Sequence, residues 1–247
     1  MKKETLKNVI AIAAAIAVWQ IASMLVGQEI LLASPLAVLK TLAQIVATKS
    51  FWSTVLFSTL RILAGFLAAF AAGVILGVLA SRFEWVKILL RPFMVCIRSV
   101  PVASFIVLSL IWMSASQLTT FVCFLACLPA IYNNVTEGIA NVDPAQKEAA
   151  LNLGAGWLKT VRAVILPNIE PYLAAAVSTA CGMAFKAGVA AEVVAIVSGS
   201  IGEQIYMSKV YFETAGLFAW TIVVVALSFV FEKLFRWLLA IMIRKVV

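Results

Sequence analysis

The chain has 247 residues, 64% of them hydrophobic and 12% charged, with a formal net charge of +8 and a mean hydropathy of +1.08. A soluble domain is about half apolar, so this composition excludes an ordinary water-soluble fold and argues against a nucleic-acid binder. The surplus Lys and Arg then belong to membrane topology, where they flank the cytoplasmic ends of spans.

The first apolar run covers 9–26 and follows a charged start, Met1-Lys2-Lys3-Glu4. It has no small-x-small cleavage site before a polar stretch, so it reads as an uncleaved span rather than a removed signal. Ser34-Pro35 next has the form of an N-cap followed by Pro at the first helical position. Leu36, Leu39, Leu42, Ala43 and Val46 recur at three and four, which predicts an amphipathic helix at the outer surface. The second span is 62–80, with Arg61 snorkelling at its outer end. Gly73 and Gly77 form a GxxxG in it, a spacing that lets helices approach closely.

No charge occurs from Ser99 to Thr136. That is too long for one crossing, which needs about 20 residues, and it breaks at Ser114-Ala115-Ser116-Gln117. Spans are predicted at 92–113 and 118–137. Pro101 removes a backbone donor and predicts a kink in the first of these. With Ser99 and Ser104 beside it, the spot lines a pathway or simply packs. Cys123 and Cys127 share one helix face and, with Cys96 and Cys181, read as small apolar filler. The fifth span is 172–197 and the sixth 214–239, completing an all-α polytopic membrane protein with six crossings and one transmembrane domain.

With the N-terminus inside, fourteen Lys and Arg fall in inner segments and three, Lys40, Lys49 and Lys209, in outer ones. This positive-inside bias predicts that both termini and the 141–168 loop are cytoplasmic. That loop has structure of its own. Asp143 suits an N-cap, Pro144 the first helical position and Gln146 the reciprocal place of a capping box. A short helix is predicted to Asn152, ended at Gly154, with Gly156 loosening the turn. A second, 157–166, leads to Pro167, where the chain turns into the fifth span. Ala149 and Ala150 clear bulk for a docking surface, and Glu148 adds a carboxylate. The other reading is a headgroup-level helix anchored by Trp157.

These residues resemble the EAA motif of ABC importer permeases: Glu148-Ala149-Ala150, then Gly154, then Val164 and Leu166-Pro167. Val164 stands where that family favours Ile. ASPLAVLKTL, STLRILAGFLAAFAAGVILGVL, the SVP before the third span and NVDPAQKEAALNLGA are similar to the nitrate/sulfonate/taurine group, a likeness running from about Leu31 to the C-terminus. The resemblance implies a type I importer-like permease in the bacterial inner membrane, paired with a second copy as a homodimer. It implies two cytoplasmic ATPase subunits gripping the EAA segment as a coupling helix, and a solute-binding protein docking outside. ATP and Mg²⁺ would sit on that ATPase, since this chain has no G-x-x-x-x-G-K-[ST] phosphate loop.

Lys186 and Glu192 fall inside the fifth span, where a charge costs on the order of 3 kcal/mol on insertion scales. They lie about 240° apart around a helix, so they do not pair with each other. Both are candidates for the translocation path, Lys186 as an attraction for an anionic solute. Snorkelling or pairing with another helix is the other reading of Lys186, and a gating or structural role that of Glu192. An ion-gradient transporter is the rival reading, and it would show a repeat of two halves around its charged sites. A membrane-embedded enzyme is weaker still, with no His and no paired intramembrane acids.

Overall fold

A computed structural model describes residues 2–152 and 156–246, and the described chain is helical with short connections. α1 (Lys2–Val26) is apolar on all sides and stands at the edge of the bundle. It is held near its end, where Trp19 Nε1 donates to the carbonyl of Ala33 at 3.1 Å and Ser23 to that of Leu32 at 3.0 Å. α2 (Pro35–Val46) begins as its sequence predicts: Ser34 Oγ accepts from the Ala37 N–H at 3.2 Å, with Pro35 in the first turn.

α3 (Lys49–Arg82) is much longer than the predicted 62–80. Thr48 caps it by accepting from Phe51 N at 3.2 Å. Arg61 therefore lies within the helix, twelve residues past its first. It lies over the Phe57 ring at 3.8 Å, half-buried inside the helix, with its Nη1 enclosed and without a hydrogen-bond partner. Arg is a good helix former, and its guanidinium stands over an aromatic face, where cation and ring quadrupole attract.

The predicted 92–113 span is not a single helix. α4 (Glu84–Ser99) and α5 (Val102–Ser109) meet at a bend of 98°. Pro101 forces the residue before it out of the α region; Val100 has φ −76° and ψ 131°, and Pro101 itself is extended with ψ 134°. The result is a corner instead of a kink. α6 (Ala115–Ala140) follows, capped at Ser114 within the predicted break.

After α6 come α7 (Pro144–Asn152), α8 (Trp157–Thr160), a π-helical turn at Val161–Ile165, and α9 (Leu166–Ala195). The helix that holds the predicted fifth span thus starts before residue 172, and the chain does not turn at Pro167. Pro167 sits in the first turn of α9, where its missing N–H is harmless. The π turn, closed by Leu166 N donating to Val161 O, carries the helix through. α10 (Ile201–Val210) lies between the predicted fifth and sixth spans. Ser200 accepts from Glu203 N at 3.0 Å, and Glu203 Oε2 accepts from Gly199 N, one residue before the cap, at 2.6 Å, so a Ser-x-x-Glu sequence makes a capping box with its return bond shifted upstream. α11 (Thr214–Val246) closes the chain.

Among the described residues, five helices are long and apolar enough to cross a membrane: α1, α3, α6, α9 with its π turn, and α11; the bent α4–α5 pair makes a sixth if it spans as one. α6 is the centre, packed between α3 and α9. A Cβ on Gly73 or Gly77 would stand 2.8 Å from Ile131 Cγ2 or 2.7 Å from Val135 Cγ1, so the GxxxG serves contact between α3 and α6 within this chain. Cys123 and Cys127 donate to the carbonyls of Ala184 and Ala180, each at 3.2 Å, filling the seam between α6 and α9. Phe66, Phe185, Phe231 and Phe235 join α3, α9 and α11, with centroids as close as 4.7 Å.

Candidate functional site

The 141–168 segment begins with a capped helix standing clear of the bundle. Asp143 Oδ1 accepts from Ala145 N at 2.8 Å, as an N-cap should. The reciprocal half of the predicted capping box is not made. Gln146 turns its Oε1 to Asn168 Nδ2, at 2.9 Å, while the same amide donates to Val164 O at 2.8 Å. A side chain of α9 therefore holds α7 and the π turn together.

This divides the motif physically. Glu148 and Ala149 are exposed on α7, and Ala150 is half-buried. Val164 and Leu166 pack against the main hydrophobic core, and Pro167 is half-buried beside them. Gly154 and the side chain of Trp157 lie outside the described residues. The front of the segment is thus open to a partner, and the back is built into α9. Helical backbone is continuous from Trp157 to Ala195 through the π turn.

Ser99 and Pro101 meet at the α4–α5 corner, both exposed, with Ser99 Oγ donating to Cys96 O at 3.2 Å. Ser104 joins them through its N–H, which donates to Pro101 O at 2.9 Å. Lys186 is exposed on α9. The structure does not bring it to Glu192, as the helical angle requires.

Glu192 is fully buried. Its Oε2 accepts from Ser58 Oγ at 2.8 Å and from Gly202 N at 3.2 Å, at the amino end of α10. Ser58 Oγ in turn accepts from Ile201 N at 2.9 Å. The Glu192 carboxyl group thus meets the free N–H groups at the start of α10, with Arg61 within electrostatic reach. Gly202 makes the approach possible: a Cβ there would lie 2.3 Å from Glu192 Cβ. Ser58 and Arg61 escape a reading of the sequence because 134 residues separate Ser58 from its acid. Among the described residues no group of three or more His, Cys, Asp or Glu is placed to hold a metal ion.

Comparison with known proteins agrees with this architecture. Residues 69–244 match the family model described as binding-protein-dependent transport system inner membrane component. An ABC transporter permease protein of Methanocaldococcus jannaschii is 26% identical over 81% of this chain and 77% of its own length. SsuC of Bacillus subtilis, named for aliphatic sulfonates transport, is 26% identical over 88% of this chain and 79% of its own. TauC of Escherichia coli, a taurine transport system permease protein, is 24% identical over 87% and 80%.

Proposed function

Because this chain belongs to the family of inner-membrane components of binding-protein-dependent transport systems, we propose that α7 is the handle by which a separate cytoplasmic ATPase moves it. As a permease of such a system it is a membrane transport subunit. A solute-binding protein delivers the cargo, a second copy of this chain completes the pore, and the termini lie on the cytoplasmic side with α7. The cargo is a small anion of the sulfonate type, in keeping with the permeases named for aliphatic sulfonates and taurine.

The observation that carries this reading is the divided 141–168 segment. A short, capped helix with an exposed carboxylate and an exposed Ala is suited to enter a cleft on another protein. Its rear is tied by Asn168 to a helix that crosses the bundle. ATP-driven closure of the partner pair would displace α7, and the unbroken backbone of α8, the π turn and α9 would deliver that displacement to the spans. The test is a pull-down of the tagged chain from detergent-solubilised native membranes, with mass spectrometry of what accompanies it. Recovery of an ATPase bearing a phosphate-binding loop, together with a solute-binding protein, is the expected result. A chain that comes down alone, yet transports in liposomes without ATP, overturns the reading.

A further inference from the structure

α4 carries its charges on one exposed face that borders α6. Lys87, Arg91 and Arg98 are spaced four and seven apart, which places them on one stripe of about 40° at roughly 100° per residue. Met94, in the same stripe, is buried. The opposite stripe is apolar and open, with Trp85 66%, Leu89 57% and Phe93 60% exposed. Cations that serve only as topology anchors reach for headgroups. These three cations, though exposed, also line a cavity of about 280 Å³ against α6, facing Tyr132, Asn133 and Thr136. A second cavity of about 400 Å³ shares Lys87 and Thr136 and continues to Arg82, Ser81 and Glu84.

The trough holds four cations and one carboxylate. Among the described residues the ion pair closer than 4.0 Å is Glu232–Arg236, elsewhere on α11, so the trough keeps an excess of positive charge over its one carboxylate, Glu84. A concave wall of one sign concentrates the opposite ion. Guanidinium forks match the oxygens of an oxyanion two at a time, and the Asn amide and the hydroxyls add neutral donors. The trough opens where α3 and α6 end, at the end of the bundle that leads into α7.

The geometry points to an oxyanion-binding trough between α4 and α6, taking a sulfonate or phosphate group either from a small solute in transit or from an anionic lipid headgroup. The solute source rests on the import reading; the site itself does not. The test is thermal unfolding of the purified full chain in a non-ionic detergent, which carries no oxyanion of its own. Sodium methanesulfonate is titrated against sodium chloride at matched ionic strength, and phosphatidylglycerol is titrated separately in mixed micelles. The expected result is a saturable stabilisation of the parent chain that is at least tenfold weaker in the Lys87→Gln/Arg91→Gln variant and unchanged in a Lys40→Gln/Lys209→Gln control. Response to methanesulfonate assigns a free anion; response to phosphatidylglycerol alone assigns a lipid headgroup. Should the double variant fail to fold, Arg98→Gln at the other end of the stripe is read in the same way. Equal responses of parent and trough variant to both probes, or none from either, overturn the site. Binding is measured without ATPase or binding protein, so this failure leaves the import reading standing. A chain that binds the probe but recruits no ATPase fails only the import reading.

Discussion

Ser58 of α3 donates its hydroxyl to Glu192 of α9 across 2.8 Å and accepts the N–H of Ile201, at the start of α10, across 2.9 Å. One buried hydroxyl therefore joins three helices. Ser58→Ala removes both bonds and leaves two buried polar groups short of a partner. A loss of roughly 2 kcal/mol is expected, since bonds to a charged group contribute about 1.5–3 kcal/mol. The midpoint of thermal unfolding in detergent checks it. Glu192→Gln, whose amide oxygen still accepts both donors, is expected to lose less. A Ser58→Ala chain that melts like the parent would show that the tie is not needed.

Glu148 is exposed on α7, so its replacement disturbs no packing. Glu148→Lys is expected to cut co-purification of the ATPase by tenfold or more while the amount of permease in the membrane stays the same. Quantitative mass spectrometry of the solubilised complex gives both numbers at once. Equal recovery of ATPase would remove α7 from the interface.

Asn168 bridges Gln146 and Val164. Asn168→Ala keeps the exposed face of α7 and cuts its tether. The ATPase is expected to remain bound while solute moved per ATP hydrolysed falls severalfold. Uptake and phosphate release, followed together in proteoliposomes, separate this from simple loss of assembly. A fall in both in strict proportion would argue against a tether role.

Gly65 and Gly182 form a contrasting pair. A Cβ at Gly65 would stand 2.4 Å from Thr120 O and 2.7 Å from Cys123 Cβ, whereas one at Gly182 meets nothing within 4 Å. Gly65→Val is expected to cost about 1–3 kcal/mol or more through overpacking. Gly182→Ala should be neutral or stabilising by up to about 1 kcal/mol, from helix propensity. Size-exclusion profiles after a heating series rank the two.

Lys186 is exposed on α9, and its charge is unpaired within 4.0 Å in the described structure. Lys186→Gln is expected to raise the half-saturation for an anionic solute severalfold with the maximal uptake rate unchanged. Uptake by vesicles holding the full complex measures both. An unchanged half-saturation would take Lys186 off the path.

Local chemistry carried most of what the sequence determined. Apolar runs long enough to cross a bilayer fall inside α1, α3, α6, α9 and α11, because lipid-facing backbone must satisfy itself as helix. Ser34-Pro35 and Asp143-Pro144 start α2 and α7, because capping needs only neighbours in the chain. The capping box at Ser200 and Glu203 is legible in the same way and announces α10. The EAA segment is recognisable from spacing alone, yet its division into an open front and an anchored back is not. That depends on Asn168 reaching Gln146, 22 residues away. The tertiary structure alone decided that Pro101 makes a corner, that Arg61 lies within α3, and that Glu192 meets Ser58 and α10. It also decided that the exposed cations of α4 line a cavity beside α6. Helical periodicity sets which residues share a face, but only the packing of α3, α4 and α6 sets which way that face looks.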